Sequence, residues 1–274
     1  MGRLIEPWVN EMDEERLLSA EDRNLRGPYR DYFITKRQNY LAVIRDLPEL
    51  WDCFLRLDEI WTRDLDDMRT VTEKERPLLI AMFRHSHQQF RIAFELGFST
   101  AITEAFNIMR GSIDTAMVAH KIFREPNLAL VWLRKDEGKA EKKRFRETFK
   151  SANLFPGQYG LAELKTFYGD YSELGTHPGL GAISLHTKIE ARSTGQDWSH
   201  TYLETDGKRA VAFLFRMLEA SAIVEGACFA CFEDRLKLDS ELMSMRSKFQ
   251  KYKNDTAWVI NHQILNAKAN SASP

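Results

Sequence analysis

One short segment of the chain carries more acid–base and hydrogen-bonding groups than any other. Residues 168 to 178 read Tyr-Gly-Asp-Tyr-Ser-Glu-Leu-Gly-Thr-His-Pro and include two phenols, two carboxylates and an imidazole. His177 has the side chain best suited to general acid–base catalysis near neutral pH, and we expect the phenol of Tyr171 beside it. The other polar side chains are expected at the rim of the same site as ligand-binding groups: Tyr168, Ser172 and Glu173.

A structural explanation of the same segment stays open. Gly175 and Pro178 are typical of a helix end, so His177 follows the last turn of a predicted helix. Because the helix dipole stabilises a cation near a helix C-terminus, His177 can also be a capping residue without a catalytic role. The residue types alone do not separate these two explanations.

A second polar pair lies in an otherwise apolar predicted helix. Arg110 and Asp114 are one turn apart, so their side chains lie on the same face of that helix. Buried charges need partners, because an unpaired buried charge is strongly destabilising. The pair either forms an internal ion pair that fixes helix packing, or Arg110 faces a pocket and holds an anionic or carbonyl group. In the second case Arg110, Asp114, Tyr171 and His177 should converge on one pocket as its catalytic groups.

Other patterns that often indicate chemistry are weaker in this chain. No Gly-x-Ser-x-Gly motif exposes a nucleophilic serine. His85 and His87 point to different sides of a helix and therefore cannot chelate one ion together. Cys228 and Cys231 are best explained as small apolar core residues at helical spacing. The sequence thus predicts no metal site and no cofactor.

A cation-rich run, residues 134 to 146, is interpreted as a solvated helix face, because acidic residues are mixed into it. An RNA phosphate track is the alternative, but the run lacks flanking aromatic residues on which single-stranded RNA would stack. The net charge of -1 over 274 residues gives no general attraction to nucleic acid. RNA therefore remains a possible partner that the charge does not support.

Composition favours a water-soluble protein. Hydrophobic residues make up 43% of the chain, enough for one large core, and charged residues make up 29%. The most apolar stretch, residues 211 to 232, contains Arg216, Glu219 and Glu225, so we expect no membrane span. The chain start lacks an apolar leader, and three cysteines are too few for a disulfide framework. We therefore expect a cytoplasmic protein.

Apolar spacing predicts a mainly α-helical fold. Hydrophobic residues recur every three or four positions over residues 50–68, 79–97 and 100–124, and the last of these helices is apolar almost all round, which places it at the centre of a bundle. The period changes from 3.6 to 2 near residue 182, which predicts a β-hairpin between residues 182 and 205. We predict a multi-helix bundle with one β-hairpin excursion. Its domain organisation is an N-terminal arm (1–28), a single α-helical domain (29–262) and a disordered tail (263–274).

These motifs together resemble a bacterial all-helical family of unknown function. The resemblance rests on Arg110-Gly-Ser-Ile-Asp114, the helix end at Glu125-Pro126 and the segment 168–178, and it covers roughly residues 78 to 234. That family is distantly similar to the AbiV abortive-infection group and the HEPN helical superfamily, whose nucleases have an arginine, then four to six residues, then a histidine. That spacing is missing here, and Gly175 stands where the family pattern has serine.

Two functions follow as hypotheses. The first is a binding protein for a small anionic or nucleotide-like ligand, or for a partner chain or second copy of itself, in a bacterial stress or defence system. The second is a metal-independent RNase of HEPN-like type, with His177 as acid or base and Arg110 stabilising a phosphorane-like charge. Neutral net charge and the missing spacing favour binding, whereas the acid–base groups around His177 favour an enzyme. Whether the chain is an enzyme stays open at this point.

Overall fold

The computed structural model describes residues 24–71, 76–157, 161–176, 180–192, 195–204, 206–233 and 240–271, and within them the fold is mainly α-helical. The helices are α1 (Gly27–Asp46), α2 (Pro48–Asp67), α3 (Arg76–Phe98), α4 (Ile102–Arg124), α5 (Leu128–Leu133), α6 (Lys139–Thr148), α7 (Leu161–Tyr171), α8 (Leu180–His186), α9 (Gly207–Phe232) and α10 (Ser240–Ser271). Strands β1 (Thr187–Arg192) and β2 (Gly195–His200) pair antiparallel, with Thr187 opposite His200. The predicted bundle with one hairpin is confirmed.

Helix α4 lies at the centre, as its all-round apolar pattern predicts. Buried residues occur on every side of it, and it packs against α3, α7 and α9. The neighbouring helices α2 and α3 bury one face each, and Pro48 stands in the first turn of α2, where its missing N–H breaks no helical hydrogen bond. Strong helical periodicity therefore located α2, α3 and α4 to within a few residues.

Helices α3 and α4 cross closely at a pair of serines. The Ser86 hydroxyl contacts the Ser112 carbonyl oxygen at 2.9 Å, the Ser112 hydroxyl donates to the Ser86 carbonyl oxygen at 2.9 Å, and the two hydroxyls lie 2.8 Å apart. Both serines are buried. Next to them Gly111 faces the side chain of Gln89, whose amide nitrogen would lie only 3.0 Å from a Cβ at this position. Small residues thus let the two helix backbones approach.

The turn between α3 and α4 holds one residue in an unfavourable conformation. Thr100 has a φ of 60°, in the left-handed region that a β-branched residue rarely adopts. Two contacts hold it there: the Asn39 side chain of α1 donates to the Thr100 hydroxyl at 2.8 Å, and the Glu204 N–H donates to the Thr100 carbonyl oxygen at 2.9 Å. The turn is therefore fixed from two sides.

The structure differs from the sequence expectation at three places. Ile183 and Leu185 alternate like strand residues but lie in α8, so β1 begins only at Thr187. Two alternating residues do not distinguish a strand from a short helix. Helix α1 begins at Gly27, inside the predicted arm. Helix α10 extends to Ser271, past the predicted start of a disordered tail, and no glycine or proline interrupts residues 240 to 271.

Helix α10 joins the bundle through a buried charge network. Arg246 donates to Glu225 of α9 at 3.1 Å and to Asp64 of α2 at 2.6 Å, and its guanidinium lies 3.8 Å from the centre of the Phe229 ring. Both carboxylates are buried, so one cation faces two acids. Burial raises the pKa of Asp64 and raises that of Glu225 well above its usual value, although Arg246 lowers both.

Helix α7 continues as a π-helical turn, Ser172–Thr176, which lies against α4. A Cβ on Gly175 would stand 2.7 Å from the Asn107 amide nitrogen and 3.0 Å from the Thr103 carbonyl oxygen. Both atoms belong to the α4 backbone and cannot rotate away as a side chain would. Gly175 is therefore required by close approach of two backbones.

Arg246→Met should lower the free energy of unfolding by about 3–5 kcal/mol, because it leaves two buried carboxylates without their cation. The pKa values of Asp64 and Glu225 are raised in the folded state, so protonation of these two carboxyl groups stabilises the fold. Their contribution to the free energy of unfolding is present below about pH 4 and is lost as pH rises through the folded-state pKa values. The deficit of the variant should therefore grow with pH in urea unfolding. Lys248→Met, an exposed substitution on the same helix, is the control. Equal effects of the two would contradict the network.

Gly175→Ala should destabilise the fold by about 1–3 kcal/mol, because the methyl group would press on the α4 backbone. Gly169→Ala is the matched control, since it lies in α7 and no described atom would come within 4 Å of its Cβ. That change should stabilise by about 0.4–1 kcal/mol. Thermal unfolding of both variants measures the contrast, and similar melting temperatures would refute the close approach.

Candidate functional site

Three of the polar residues singled out in the sequence meet between α4 and α7. Arg110 donates from Nη2 to the Tyr168 hydroxyl at 2.8 Å, and its guanidinium lies 4.9 Å from the centre of the Tyr168 ring. Asp114, one turn further along α4, interacts with the same hydroxyl and with the charge of Arg110. Tyr168 thus links the cation to the carboxylate.

The carboxylate of this cluster is easier to protonate than an ordinary one. Burial raises the pKa of Asp114, and the charge of Arg110 and the hydroxyl of Tyr168 lower it only in part. A carboxyl group of this kind can donate a hydrogen bond or a proton closer to neutral pH. Asp114 is therefore the residue of the cluster with the clearest capacity for proton exchange.

Tyr171 lies elsewhere, in the apolar core. Its side chain is 1% exposed, and its ring stacks on Phe106 with centres 4.8 Å apart. Its hydroxyl is buried and has no hydrogen-bond partner among the described residues. Burial raises the pKa of this phenol, so Tyr171 stays protonated. The structure does not bring it to the Arg110–Asp114–Tyr168 cluster.

The other predicted site residues have separate positions. The Ser172 hydroxyl donates to the Tyr168 carbonyl oxygen at 2.7 Å, which makes it a local helix-end contact. Glu173 is exposed on the π-helical turn. His177, the predicted acid–base residue, and Pro178 lie outside the described residues.

A cleft of about 650 Å³ opens beside Asp114 and Tyr168. One wall is the α3–α4 pair, and the opposite wall is formed by α5, α6 and the 3-10 turn Ser151–Asn153. Its lining residues are Leu78, Ala81, Met82, His85, Asp114, Thr115, Val118, Trp132, Lys135, Phe145, Arg146, Phe149, Lys150, Ser151, Leu154 and Tyr168. This volume suits a small organic ligand.

Positive charge dominates the cleft. Lys135, Arg146 and Lys150 line it, and Asp114 is the single carboxylate among the described lining residues. Within the described parts of the chain, neither Arg146 nor Lys150 forms a salt bridge. The imidazole of His85, on α3, is exposed at the same cleft. The arrangement is suited to an anion.

The cation-rich run contains aromatic contacts that the sequence analysis missed. The Lys135 ammonium lies 4.4 Å from the centre of the Trp132 ring and 5.6 Å from that of Phe145. The expectation that the run lacks flanking aromatic residues is therefore wrong. Trp132 stands two positions before it and Phe145 within it, and folding of α6 back on α5 brings both rings to one ammonium. The three-residue spacing between Trp132 and Lys135 is the sequence feature that could have predicted this contact.

Other candidate chemistry is structural in the described part of the chain. His87 is buried, hydrogen-bonded to Asp58 at 2.8 Å and stacked on Trp61, so it lies apart from His85. Cys53, Cys228 and Cys231 are buried free thiols. Over the described ranges no group of three or more His, Cys, Asp or Glu side chains is placed to hold a metal ion. None of the helices described there has the length and apolarity needed to cross a membrane.

Asp114→Asn should change stability in a pH-dependent way. Because the pKa of Asp114 is raised in the folded state, its contribution to the free energy of unfolding is present below about pH 4 and is lost as the carboxyl ionises at higher pH. Asparagine at this position does not titrate. The variant should therefore gain stability relative to wild type as pH increases. Urea unfolding between about pH 5 and pH 8 measures this, with exposed Asp136→Asn as control. A pH-independent difference would contradict the buried position of Asp114.

Comparison with known proteins gives this site no precedent. No protein-family model, no curated protein and no solved structure matches the chain. The function of the cleft is therefore argued from its own residues.

Proposed function

We propose that the chain binds a small, nucleotide-like anion in the cleft between the α3–α4 pair and the α5–α6 hairpin. The observation that supports it most is the charge of the cleft, where Lys135, Arg146 and Lys150 line one wall and Asp114 is the single described carboxylate. Like charges held together repel, and an anionic ligand removes that repulsion. The remaining lining is apolar and aromatic, as is usual for a ligand site.

The lining also suits the uncharged part of such a ligand. Lys150 and Arg146 supply donors for phosphate or carboxylate oxygens at one side of the cleft. The rings of Trp132, Phe145 and Phe149 offer flat apolar surface for a base. Asp114 and the Tyr168 hydroxyl, which also line the cleft, provide a hydrogen-bond donor and acceptors for ring nitrogens or sugar hydroxyls.

RNA cleavage is the second candidate, and two cleft residues favour it. Asp114 has a raised pKa, and the exposed imidazole of His85 lines the same cavity as the three cations. An acid and a base beside a phosphate-binding surface are the elements of metal-independent phosphodiester cleavage. Under this second proposal His85 and Asp114 have the catalytic roles that the sequence analysis assigned to Arg110 and His177. A stress or defence context, and a partner chain or second copy, are supported by the sequence resemblance alone.

Calorimetric titration with adenosine monophosphate, adenosine and inorganic phosphate tests the proposed site. We expect the monophosphate to bind more tightly than adenosine, because only it offers an anion to the cations. Lys150→Gln should weaken monophosphate binding by about tenfold, the value of one charge-assisted contact. Lys142→Gln, an exposed lysine of α6 outside the cleft lining, is the matched control and should bind like wild type.

The outcomes separate the two candidates. Equal affinity for adenosine and its monophosphate, or equal loss in Lys150→Gln and Lys142→Gln, would contradict an anion site in the cleft. Incubation with mixed RNA is the second arm. Cleavage that is abolished by His85→Ala and by Asp114→Asn, but retained in Lys142→Gln, would establish the nuclease. Cleavage that survives both substitutions would exclude this cleft as its source.

A further inference from the structure

A second cavity lies on the other end of α3, apart from the cleft. It measures about 530 Å³ and is enclosed by α1, α2 and the C-terminal half of α3 together with Ser99. None of its lining residues lines the cleft beside Asp114. We propose that this cavity is a binding site for a flat aromatic monoanion, an aromatic ring that carries one carboxylate. The inference does not depend on the function proposed above.

The floor of the cavity is a group of aromatic rings. Trp51 meets Phe98 with ring centres 5.2 Å apart at 66°, and Tyr40 meets both, at 6.2 Å from Trp51 and 6.1 Å from Phe98. Phe54 lies against Trp51 at 5.3 Å. Tyr40 and Trp51 keep part of their surface open, whereas Phe98 is buried beneath them. A planar ligand ring can stack on or edge against this floor.

The rim supplies more positive than negative charge. Lys36, Arg37 and Arg91 line the cavity, with Glu95 as the described carboxylate among them. Arg91 is already held by Asp58, through contacts of 2.6 and 2.8 Å. Lys36 is half-buried and takes part in no salt bridge among the described residues. A carboxylate at the rim would therefore find its counter-ion in Lys36, on the side of α1.

The charge of Arg91 at the rim is neutralised by Asp58, which stays ionised. Burial alone would raise the pKa of Asp58, but hydrogen bonds from His87 and Arg91 outweigh it and hold the pKa at about 2. Asp58 thus stays ionised and keeps Arg91 paired, which leaves Lys36 as the counter-ion for an anion. The pKa of Tyr40 is raised by burial and by the charge of Glu95. Glu95 makes the Tyr40 side of the rim unfavourable for a second negative group, which limits the ligand to one.

The walls of the cavity are held rigidly before any ligand enters. The Ser99–Thr100 turn closes one side, and the Asn39 amide, next to Tyr40 on α1, donates to the Thr100 hydroxyl at 2.8 Å. The Ser99 hydroxyl donates back to the Glu95 carbonyl oxygen at 2.8 Å. A preformed site loses less conformational entropy on binding than a flexible one.

Calorimetric titration with indole-3-acetate, tryptamine and acetate tests the proposal at neutral pH. These probes separate an aromatic anion, an aromatic cation of similar size and an anion without a ring. We expect indole-3-acetate to bind at least about tenfold more tightly than either other probe. Lys36→Met should reduce indole-3-acetate affinity by about threefold or more while leaving the thermal unfolding temperature unchanged. Lys165→Met, an exposed lysine on α7, should bind like wild type.

Three results would overturn the site. Tryptamine binding as tightly as indole-3-acetate would show that charge does not contribute, and identical affinities of Lys36→Met and Lys165→Met would exclude Lys36 as the counter-ion. Lys150→Gln, which changes the cleft, should leave indole-3-acetate binding intact. Loss of adenosine monophosphate binding in that variant with retained indole-3-acetate binding separates failure of one site from failure of the other. A Trp51→Leu variant with undiminished affinity would rule out the aromatic floor.

Discussion

The reciprocal contact of Ser86 and Ser112 is the constraint on which the rest of the structure depends. Two hydroxyls that satisfy each other's helix carbonyls, with a glycine beside them, let α3 and α4 lie closer than larger side chains would allow. Each of the two cavities described above has α3 in one of its walls. Helix α4 carries Arg110 and Asp114, and α3 carries His85 of the cleft and Arg91 of the second cavity. A wider separation of α3 and α4 would open the core beneath both cavities.

Asp114 of the polar cluster and the cations near α5 and α6 line opposite walls of one cleft. Arg110 does not line the cleft, and Tyr168 lies over its guanidinium. It interacts with the Tyr168 hydroxyl and with the carboxylate of Asp114, which line the cleft. The cations Lys135 and Lys150, which follow the ends of α5 and α6, stand on the opposite wall of the cleft. Arg110 is thus held inside the cluster, whereas Lys135 and Lys150 line the cleft.

The sequence predicts those parts of the molecule that depend on local pattern. Periodic apolar residues place α2, α3 and α4, and a period of two places the hairpin near the correct residues. The meeting of Arg110 and Asp114 with the segment 168–178 follows from the need to satisfy charges inside an apolar helix. Tyr168, which was expected only at the rim, is the residue that joins them. The position of Tyr171 does not follow. Tyr168 and Tyr171 both face α4, but Tyr171 meets it one turn earlier, at Phe106, and spacing alone does not tell which turn of the partner helix a side chain contacts.

Both cavities use α3 as a wall, and this has a thermodynamic consequence. His85 faces one cavity and Arg91 the other, so the two surfaces are separated by about 9 Å along a single rigid helix. An axial shift of α3 would change the shape of both at once. By linkage, whatever one occupant did to the affinity of the other would be returned by the same factor. Helix α3 thus connects the two cavities directly.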